Sequence, residues 1–227
     1  DQIITLFSKE EGKLRALVKA AKLPTSKLQP MLQPVFQTRV SLSGSNSGAG
    51  LAKVIGVQLI APYSGILESE AKITAWYIAS ELVMRGLADS APNELLFLEL
   101  EKYADFLSQT ESSTEEINNS IVQFQIKAID ALGLGIRMPS QIIDTPTSIY
   151  FSLDRGGFTT ENSADAITVN NASLKVFQNL NREPYEFRGE VAAAEYKSIS
   201  SLVSRFVTYQ LEREIKSQRL LSNPTLA

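Results

Sequence analysis

Apolar and polar positions alternate in short runs over residues 1–60, and no clear helix is predicted there. Residues 2–7 are rich in β-forming side chains, and a polar turn that ends at Gly12 follows them. Prolines and glycines separate the later apolar runs from one another. The pattern predicts four strands, at residues 2–7, 13–19, 35–43 and 49–60.

The second of these strands shows the alternation most clearly. Leu14, Ala16 and Val18 share one face of it, and the other face is mainly basic. Residues 13–22 also fit a short amphipathic helix, because Ala, Leu and Lys form helices well, but the preceding tight turn favours a hairpin. With one further strand before residue 2, the segment would form a five-stranded Greek-key barrel of the OB type.

Helical spacing begins after Pro62 and dominates the rest of the chain. Thr114 is the predicted N-cap of a helix that ends at Gly133 or Gly135. The helices are predicted at residues 70–87, 93–107, from 114, 170–179 and 189–214, and a β-hairpin is predicted over residues 148–160. The inward positions predicted for the last helix are Ala194, Ile199, Leu202, Val203, Phe206 and Tyr209.

The elements together predict an α+β protein with two domains. Residues 1–62 would form the barrel, and residues 63–227 a helical domain with a hairpin region near 136–168. The chain contains no run of 18 apolar residues and no signal-peptide pattern. It starts at Asp1, inside what is predicted to be a strand, so we expect that some residues precede it.

The sequence contains neither Cys nor His. Disulfide scaffolds, thiolate or imidazole zinc sites and Ser-His-Asp or Cys-His nucleophiles are therefore excluded. Residues 44–50 are rich in glycine, but no Lys-Ser/Thr pair follows, so they predict a hairpin loop and not a phosphate-binding loop. No catalytic residue, metal or cofactor is predicted.

Positive charge is concentrated near the start of an acidic chain. Residues 1–60 contain eight bases and three acids, a net +5, and the remainder contains 14 bases and 22 acids, a net −8. Such a segment predicts a local anionic partner, and an ordinary solvated strand face is the alternative. The candidate DNA-binding residues are Lys9, Lys13, Arg15, Lys19, Lys22, Lys27 and Arg39.

Two further groups are candidates for binding a protein partner. Trp76 and Tyr77 would form a docking pocket for a partner's tail, or else be buried in the helical packing. The second group would recognise an acidic peptide, or else pair with Glu81, Glu212 and Glu214 on helix surfaces. Its members are Arg85, Arg205, Arg213, Lys216 and Arg219.

Three classes of function remain open on the residues alone. The first is a DNA-binding protein without catalysis, and the second is an adaptor whose basic face binds an acidic peptide. The third is a carboxylate-dependent hydrolase, although no pair of acids is spaced for that chemistry. The long basic track over a strand and its following loop favours DNA over a peptide.

The N-terminal segment resembles the barrel of the RecO family of bacterial recombination mediators. The resemblance depends on an E-x-G-K-L motif that ends in Gly12-Lys13-Leu14, a basic loop at residues 22–28 and the segment L-Q-P-V-F at residues 32–36, which is similar to the family's L-x-P-F. The segment K-S-Q-R-L-L at Lys216–Leu221 is similar to the family's C-terminal motif.

The resemblance implies a protein that acts in the RecFOR pathway of DNA repair without making or breaking bonds. Such proteins bind single- and double-stranded DNA without sequence choice and anneal complementary strands. They contact the acidic tail of the single-strand-binding protein, and with RecR they help load RecA onto DNA. A bacterial cytoplasmic, nucleoid-associated location is also implied.

One feature departs from the family pattern. Many members bind zinc through four cysteines around the hairpin, and those positions fall here near Gln141, Asp144, Thr160 and Ser163. None is Cys, so zinc binding is not expected and packing must stabilise the hairpin. Phe151 and Phe158 are the candidates for that packing.

Overall fold

The computed structural model describes residues 1–19, 28–44, 51–138, 148–182, 184–185 and 193–221. The chain forms two compact units. The first comprises Asp1–Trp76 and Leu87–Thr110, and the second comprises Tyr77–Gly86 and Glu111–Ala227. The predicted division at residue 62 stays a prediction. None of the helices in the described ranges has the length and apolar character needed to cross a bilayer.

The first unit contains a four-stranded sheet, as the alternation predicts. Its strands are β1 (Gln2–Ser8), β2 (Gly12–Val18), β3 (Gln37–Ser43) and β4 (Ala52–Ala61). Their order is β1-β2-β4-β3, with β2 and β4 parallel and the other pairs antiparallel. The alternative of a helix beginning at residue 13 is wrong, because β2 pairs with β1 along its whole length.

The α+β class and the order of a strand-rich segment before a helical one are confirmed. In the described ranges the sheet is open, with β1 and β3 at its edges, and not a closed barrel. A fifth strand would have to precede Gln2, so that part of the interpretation stays a prediction. The parallel contact between β2 and β4 is the crossing expected of Greek-key connectivity.

The inner face of the sheet forms the core of the first unit. Leu14, Ala16 and Val18 of β2 are buried on it, together with Val54 of β4. The predicted two-residue period of β2 is therefore confirmed. Seven partly buried side chains pack against this cluster: Ile4, Leu6, Leu28, Leu32, Val40, Leu42 and Val57.

Two helices follow the sheet. Helix α1 (Glu70–Gly86) begins in the first unit, where Trp76 is 8% exposed and donates its indole N–H to the Pro34 carbonyl at 3.1 Å. Helix α2 (Glu94–Gln109) has Asn93 as its N-cap, whose side chain accepts from the Leu96 N–H at 2.9 Å. Both helices agree with their predicted positions within two residues.

The turn between β1 and β2 packs directly against residues 87–93, which we call the α1–α2 connection. Gly12 has a φ of +70°, and a Cβ built on it would overlap the Ala91 carbonyl and lie 2.8 Å from the Pro92 nitrogen. The Ser90 N–H donates to the Lys13 carbonyl at 2.8 Å. Only glycine satisfies both the backbone conformation and the close approach.

The second unit contains helices α3 (Thr114–Ala131), α4 (Asn171–Arg182) and α5 (Ala193–Leu211), together with the end of α1. The predicted N-cap of α3 at Thr114 is wrong by one residue. Ser113 is the N-cap, because it shares a capping box with Glu116: each side chain accepts the backbone N–H of the other residue. Helix α3 ends just before Gly133, which has a φ of +77°, as predicted.

Helix α5 departs from its predicted packing at two positions. Ile199, Leu202, Val203 and Phe206 are buried as predicted, but Ala194 and Tyr209 are exposed. Val207 is buried instead of Tyr209, and the hydroxyl of Tyr209 reaches Asp154 at 2.8 Å. The helix ends at Leu211, before the predicted end, because Glu212 adopts a φ of +51°.

The predicted hairpin is present and belongs to a small three-stranded sheet. Its strands β5 (Ile149–Ser152) and β6 (Gly157–Thr159) are joined by β7 (Ile167–Val169), which the sequence did not predict. The ring of Phe151 packs edge-on against Phe158 at 5.1 Å and against Phe206 at 5.7 Å. Both candidate phenylalanines are thus buried between this sheet and the helices, as expected.

We predict that Gly12→Ala destabilises the first unit by about 3 kcal/mol or more, because the new Cβ meets backbone that cannot move aside. Urea unfolding monitored by fluorescence of Trp76, the single tryptophan, measures the loss. Gly44→Ala is the matched control. Gly44 has a φ of +100° but its nearest neighbour is 3.9 Å away, so its cost of about 1–2 kcal/mol is conformational alone. Equal losses in the two variants would contradict the role assigned to close approach.

Candidate nucleic-acid interface

The side of the sheet opposite the core, which we call the outer face, is built by the alternation of the strands. Leu17 of β2 is paired with Ile3 of β1 and with Lys53 of β4, so the three side chains lie in one row across the sheet. Side chains two residues away along each strand point the same way. The outer face therefore includes Ile3, Thr5, Arg15, Leu17, Lys19, Arg39, Lys53 and Ile55.

Three cations surround Leu17 on this face. Arg15 precedes Leu17 by two positions in β2, and Lys19 follows it by two, just after the strand ends. Lys53 is paired with Leu17 on the neighbouring strand β4. All three side chains are exposed, and in the described ranges none of them forms an ion pair. The four strands contain no Asp or Glu, so nothing within the sheet neutralises this charge. The cluster can attract an anionic ligand.

Arg39 is also exposed on the outer face, opposite Gln58 on β4. Gln58 lies five positions along β4 from Lys53, a distance of about 17 Å in an extended strand. Arg39 is therefore on the predicted surface but apart from the central cluster.

Lys13 is placed differently from the other predicted residues. Its Nζ donates to the Leu87 carbonyl at 2.6 Å and lies 3.2 Å from the Asp89 carboxylate, and its side chain is only 17% exposed. The ammonium group thus joins β2 to the α1–α2 connection. Its neighbour Phe7 packs against Phe97 of α2 at 5.6 Å, so this end of the outer face is covered.

Lys9 lies beyond the covered end, in the turn between β1 and β2. Its Nζ is 2.8 Å from the Glu94 carboxylate in the first turn of α2, and this contact raises the pKa of Lys9. Lys22 and Lys27 lie outside the described residues. DNA contact by the seven predicted cations therefore stays a prediction. Of the seven, Arg15 and Lys19 belong to the exposed cluster around Leu17.

Lys53 is the outer-face cation that the sequence-based candidates omitted. Its alternation with Ala52 and Val54 indicates an outward side chain, but the sequence offers no signal that β4 lies beside β2. The parallel pairing joins Leu17 to a residue 36 positions away, and such non-local registers are not encoded in a local pattern.

The predicted partner-binding cations lie in the second unit, and all of them except the half-buried Arg85 are exposed. Arg205 is on α5, and Arg213 follows it. Lys216 and Arg219 belong to the C-terminal 3₁₀ helix (Lys216–Leu221). Arg219 contacts both carboxylate oxygens of Glu214, at 3.1 and 2.9 Å, and Arg85 pairs with Glu81 at 2.6 Å, so two of the alternative pairings are present.

An open groove of about 580 Å³ lies between α1 and the C-terminal 3₁₀ helix. We call it the Tyr77 groove; its lining residues are Tyr77, Ser80, Glu81, Met84, Ser217 and Leu220. Tyr77 is 51% exposed, whereas its neighbour Trp76 is buried in the first unit. Of the two aromatic candidates, only Tyr77 is therefore accessible to a partner. The apolar lining residues could contact the apolar side chains of a peptide, and the nearby exposed Lys216 and Arg219 could attract its acidic residues.

Glu81 anchors the 3₁₀ helix to α1. Its carboxylate accepts hydrogen bonds from the Ser217 hydroxyl at 2.6 Å, from the N–H groups of Ser217 and Lys216, and from Arg85. Partial burial acts to raise the pKa of Glu81, but the hydrogen bonds outweigh it and lower the pKa from 4.5 to about 2. The groove is therefore completed by one ionised side chain.

We predict that Glu81→Gln loosens the C-terminal 3₁₀ helix, because the amide removes the charge that the four donors share. Hydrogen exchange at the Lys216 and Ser217 amides should become roughly tenfold faster, as expected when charged hydrogen bonds are removed. Mass spectrometry of the C-terminal peptide measures this rate. Glu212→Gln changes an exposed acid nearby and should leave the rate unchanged.

The pH dependence of the same contact has a definite sign. The pKa of Glu81 is lower in the folded chain than in the unfolded chain, so its stabilising contribution is complete above pH 4.5. The contribution is lost as the pH falls toward 2. The difference in unfolding free energy between wild type and Glu81→Gln should vanish over that range, and a constant difference would contradict the assignment.

Comparison with known protein families matches almost the whole chain. A family model described as "Recombination protein O N terminal" matches residues 1–63. A second model, described as "Recombination protein O C terminal", matches residues 69–219.

Individual relatives agree with these models. A DNA repair protein RecO from Pelotomaculum thermopropionicum is 25% identical over 97% of this chain and 87% of its own length. The protein of the same name from Bacillus subtilis is 31% identical over 70% of this chain and 60% of its own length.

A third DNA repair protein RecO, from Geobacter metallireducens, is 35% identical over 49% of this chain. That match and the one to the Mannheimia succiniciproducens protein span about half the length of those relatives, at 44% and 55%. Because the two family models together cover both units, the chain belongs to the RecO family of DNA repair proteins.

Proposed function

We propose that the chain is a non-catalytic recombination mediator in DNA repair that binds single- and double-stranded DNA through the outer face. The observation that supports this most is the cluster of Arg15, Lys19 and Lys53, which is exposed and not neutralised by any acid in the sheet. Each cation that contacts a phosphate releases condensed counterions, and this release drives binding without regard to sequence.

Binding without a chemical step also agrees with the residues available. The strands that form the outer face contain no carboxylate, imidazole or thiol to accept a proton from a reacting group. Contacts to the phosphate backbone leave the hydrogen-bonding edges of the bases free. A protein that neutralises two strands in this way lowers their mutual repulsion, so we include strand annealing in the proposal.

The proposed protein partners follow from membership of the family. We propose that the chain acts with RecR to load RecA onto DNA coated by the single-strand-binding protein. The acidic tail of the single-strand-binding protein would bind in the Tyr77 groove, near Lys216 and Arg219. The exposed ring of Tyr77 and the side chain of Leu220 supply the apolar contacts that such a tail requires.

We predict that Arg15→Ala combined with Lys53→Ala raises the Kd for single-stranded DNA about tenfold or more and lowers the salt slope by about 1.4, because each phosphate that is no longer neutralised accounts for about 0.7. Fluorescence anisotropy of a labelled strand across a salt series measures both quantities. Lys102→Ala changes an exposed lysine on α2 of the same unit and serves as the control.

An unchanged salt slope in the double variant would show that these cations do not contact phosphate. If the wild type does not bind DNA even at low salt, the mediator function fails. The adaptor alternative, in which the basic face binds an acidic peptide, would then be favoured.

We predict that Tyr77→Ala weakens binding of a fluorescent peptide with the sequence of the single-strand-binding protein's tail by about tenfold, because an aromatic anchor in a groove typically dominates such binding. Tyr209→Ala removes an equally exposed ring from α5 of the same unit and should have no effect. Equal affinity of wild type and Tyr77→Ala would remove the groove from the proposal.

A further inference from the structure

The outer face contains aliphatic side chains that phosphate binding does not explain. Ile3 is 48% exposed and Ile55 64% exposed, Leu51 is also exposed, and Leu17 is half-buried among them. They share the outer face with Arg15, Lys19 and Lys53, and Ile3 and Leu17 are directly paired neighbours. Leaving several neighbouring aliphatic groups in water is unfavourable, and such surfaces usually mark a binding site.

The core does not require these side chains. Ala16, Val18 and Val54 fill the inner face of the same strands. The part of the outer face near Phe7 and Lys13 is covered by α2 and the α1–α2 connection, whereas about half or more of the surface of Ile3 and Ile55 is exposed to solvent.

A β-bulge lies at Ile55. The pair Leu42–Val54 is followed by the pair Ser41–Gly56, so Ile55 is an extra residue in β4. Alternation from the buried Val54 points Ile55 outward, and the extra residue returns Val57 to the inner side. Bulges commonly redirect a side chain in this way beside functional sites.

We infer that these aliphatic side chains are binding sites for the unstacked bases of single-stranded DNA, and that they make the outer face bind single strands more tightly than duplex. This inference rests on the proposed function and adds a substrate preference to it. In a duplex the bases are stacked inside and only phosphate and sugar reach a protein surface of this kind. A single strand presents base faces that are shielded from water when they lie on an aliphatic side chain.

The arrangement accounts for both components of the binding. The backbone would follow the cations that surround Leu17, and the bases would turn onto Ile3 and Ile55. Aliphatic groups have no hydrogen-bonding atoms, so they do not select one base over another. The apolar component would be nearly independent of salt, whereas the component from the cations falls steeply with salt.

The test is a comparison of Ile3→Thr combined with Ile55→Thr against the wild-type chain. Thr keeps the branched Cβ that a strand favours but removes the apolar end of the side chain. The probes are a labelled oligodeoxythymidine strand and a labelled blunt duplex of the same length, each measured across a salt series. Leu95→Gln removes an exposed aliphatic group from α2 of the same unit and is the matched control.

We expect the Kd for the single strand to rise about fivefold or more, because less apolar surface is buried against the bases, with the salt slope unchanged. The Kd for the duplex should not change, and thermal unfolding should match that of the wild type.

Other results would separate failure of this inference from failure of the proposed function. If the double Thr variant binds both probes as the wild type does, or loses both equally, the inference is overturned. The proposed function would still stand if Arg15→Ala with Lys53→Ala loses binding in the same assay. If the wild type binds neither probe at low salt, the proposed function and the inference both fail.

Discussion

The β1–β2 turn is fixed to the α1–α2 connection by three contacts that involve Gly12 and Lys13. Gly12 allows the backbones to touch, the Lys13 carbonyl accepts from the Ser90 N–H, and the Lys13 ammonium reaches the Leu87 carbonyl. This docking covers one end of the outer face and leaves the other end open. The docking therefore determines which cations of the outer face stay exposed to solvent.

The docking also assigns a physical reason to the E-x-G-K motif. Its Gly and Lys are the two residues that join the sheet to the α1–α2 connection, and the Leu that follows them is buried in the core as Leu14. The motif by which the N-terminal segment resembles its family thus describes how the first unit is assembled. The residues that remain available to a ligand, Arg15, Lys19 and Lys53, lie outside it.

Local patterns predicted the elements of this fold well because each pattern reports one physical requirement. The two-residue period of β2 and the helical stripes of α1 to α3 follow from burial of one face, and both are present. The errors occur where hydrogen bonding competes with burial. The hydroxyl of Tyr209 donates to the Asp154 carboxylate, which keeps the ring at the surface. The capping box with Glu116 makes Ser113 the N-cap in place of Thr114. Strand β7 has only three residues, too few to display a period.

The candidate site was less predictable than the fold, because it depends on pairs far apart in sequence. Lys53 joins the cation cluster only through the parallel pairing of β2 with β4, and Lys13 leaves it only through contact with residues 87–89. Counting charges along the sequence located the basic segment, but it could not show which of the basic side chains are exposed to solvent.

The hydrogen bonds between Ser217 and Glu81 join residues 136 positions apart. Contacts at such separation form late, since most of the chain must be ordered before the two groups can meet. On the ribosome, α1 would emerge and fold long before Ser217 is synthesised. During that interval the apolar side chains of Tyr77 and Met84 lack their neighbour Leu220, so the nascent chain exposes a surface that the finished protein partly closes. The Tyr77 groove can therefore form only after the chain has been synthesised as far as Leu220.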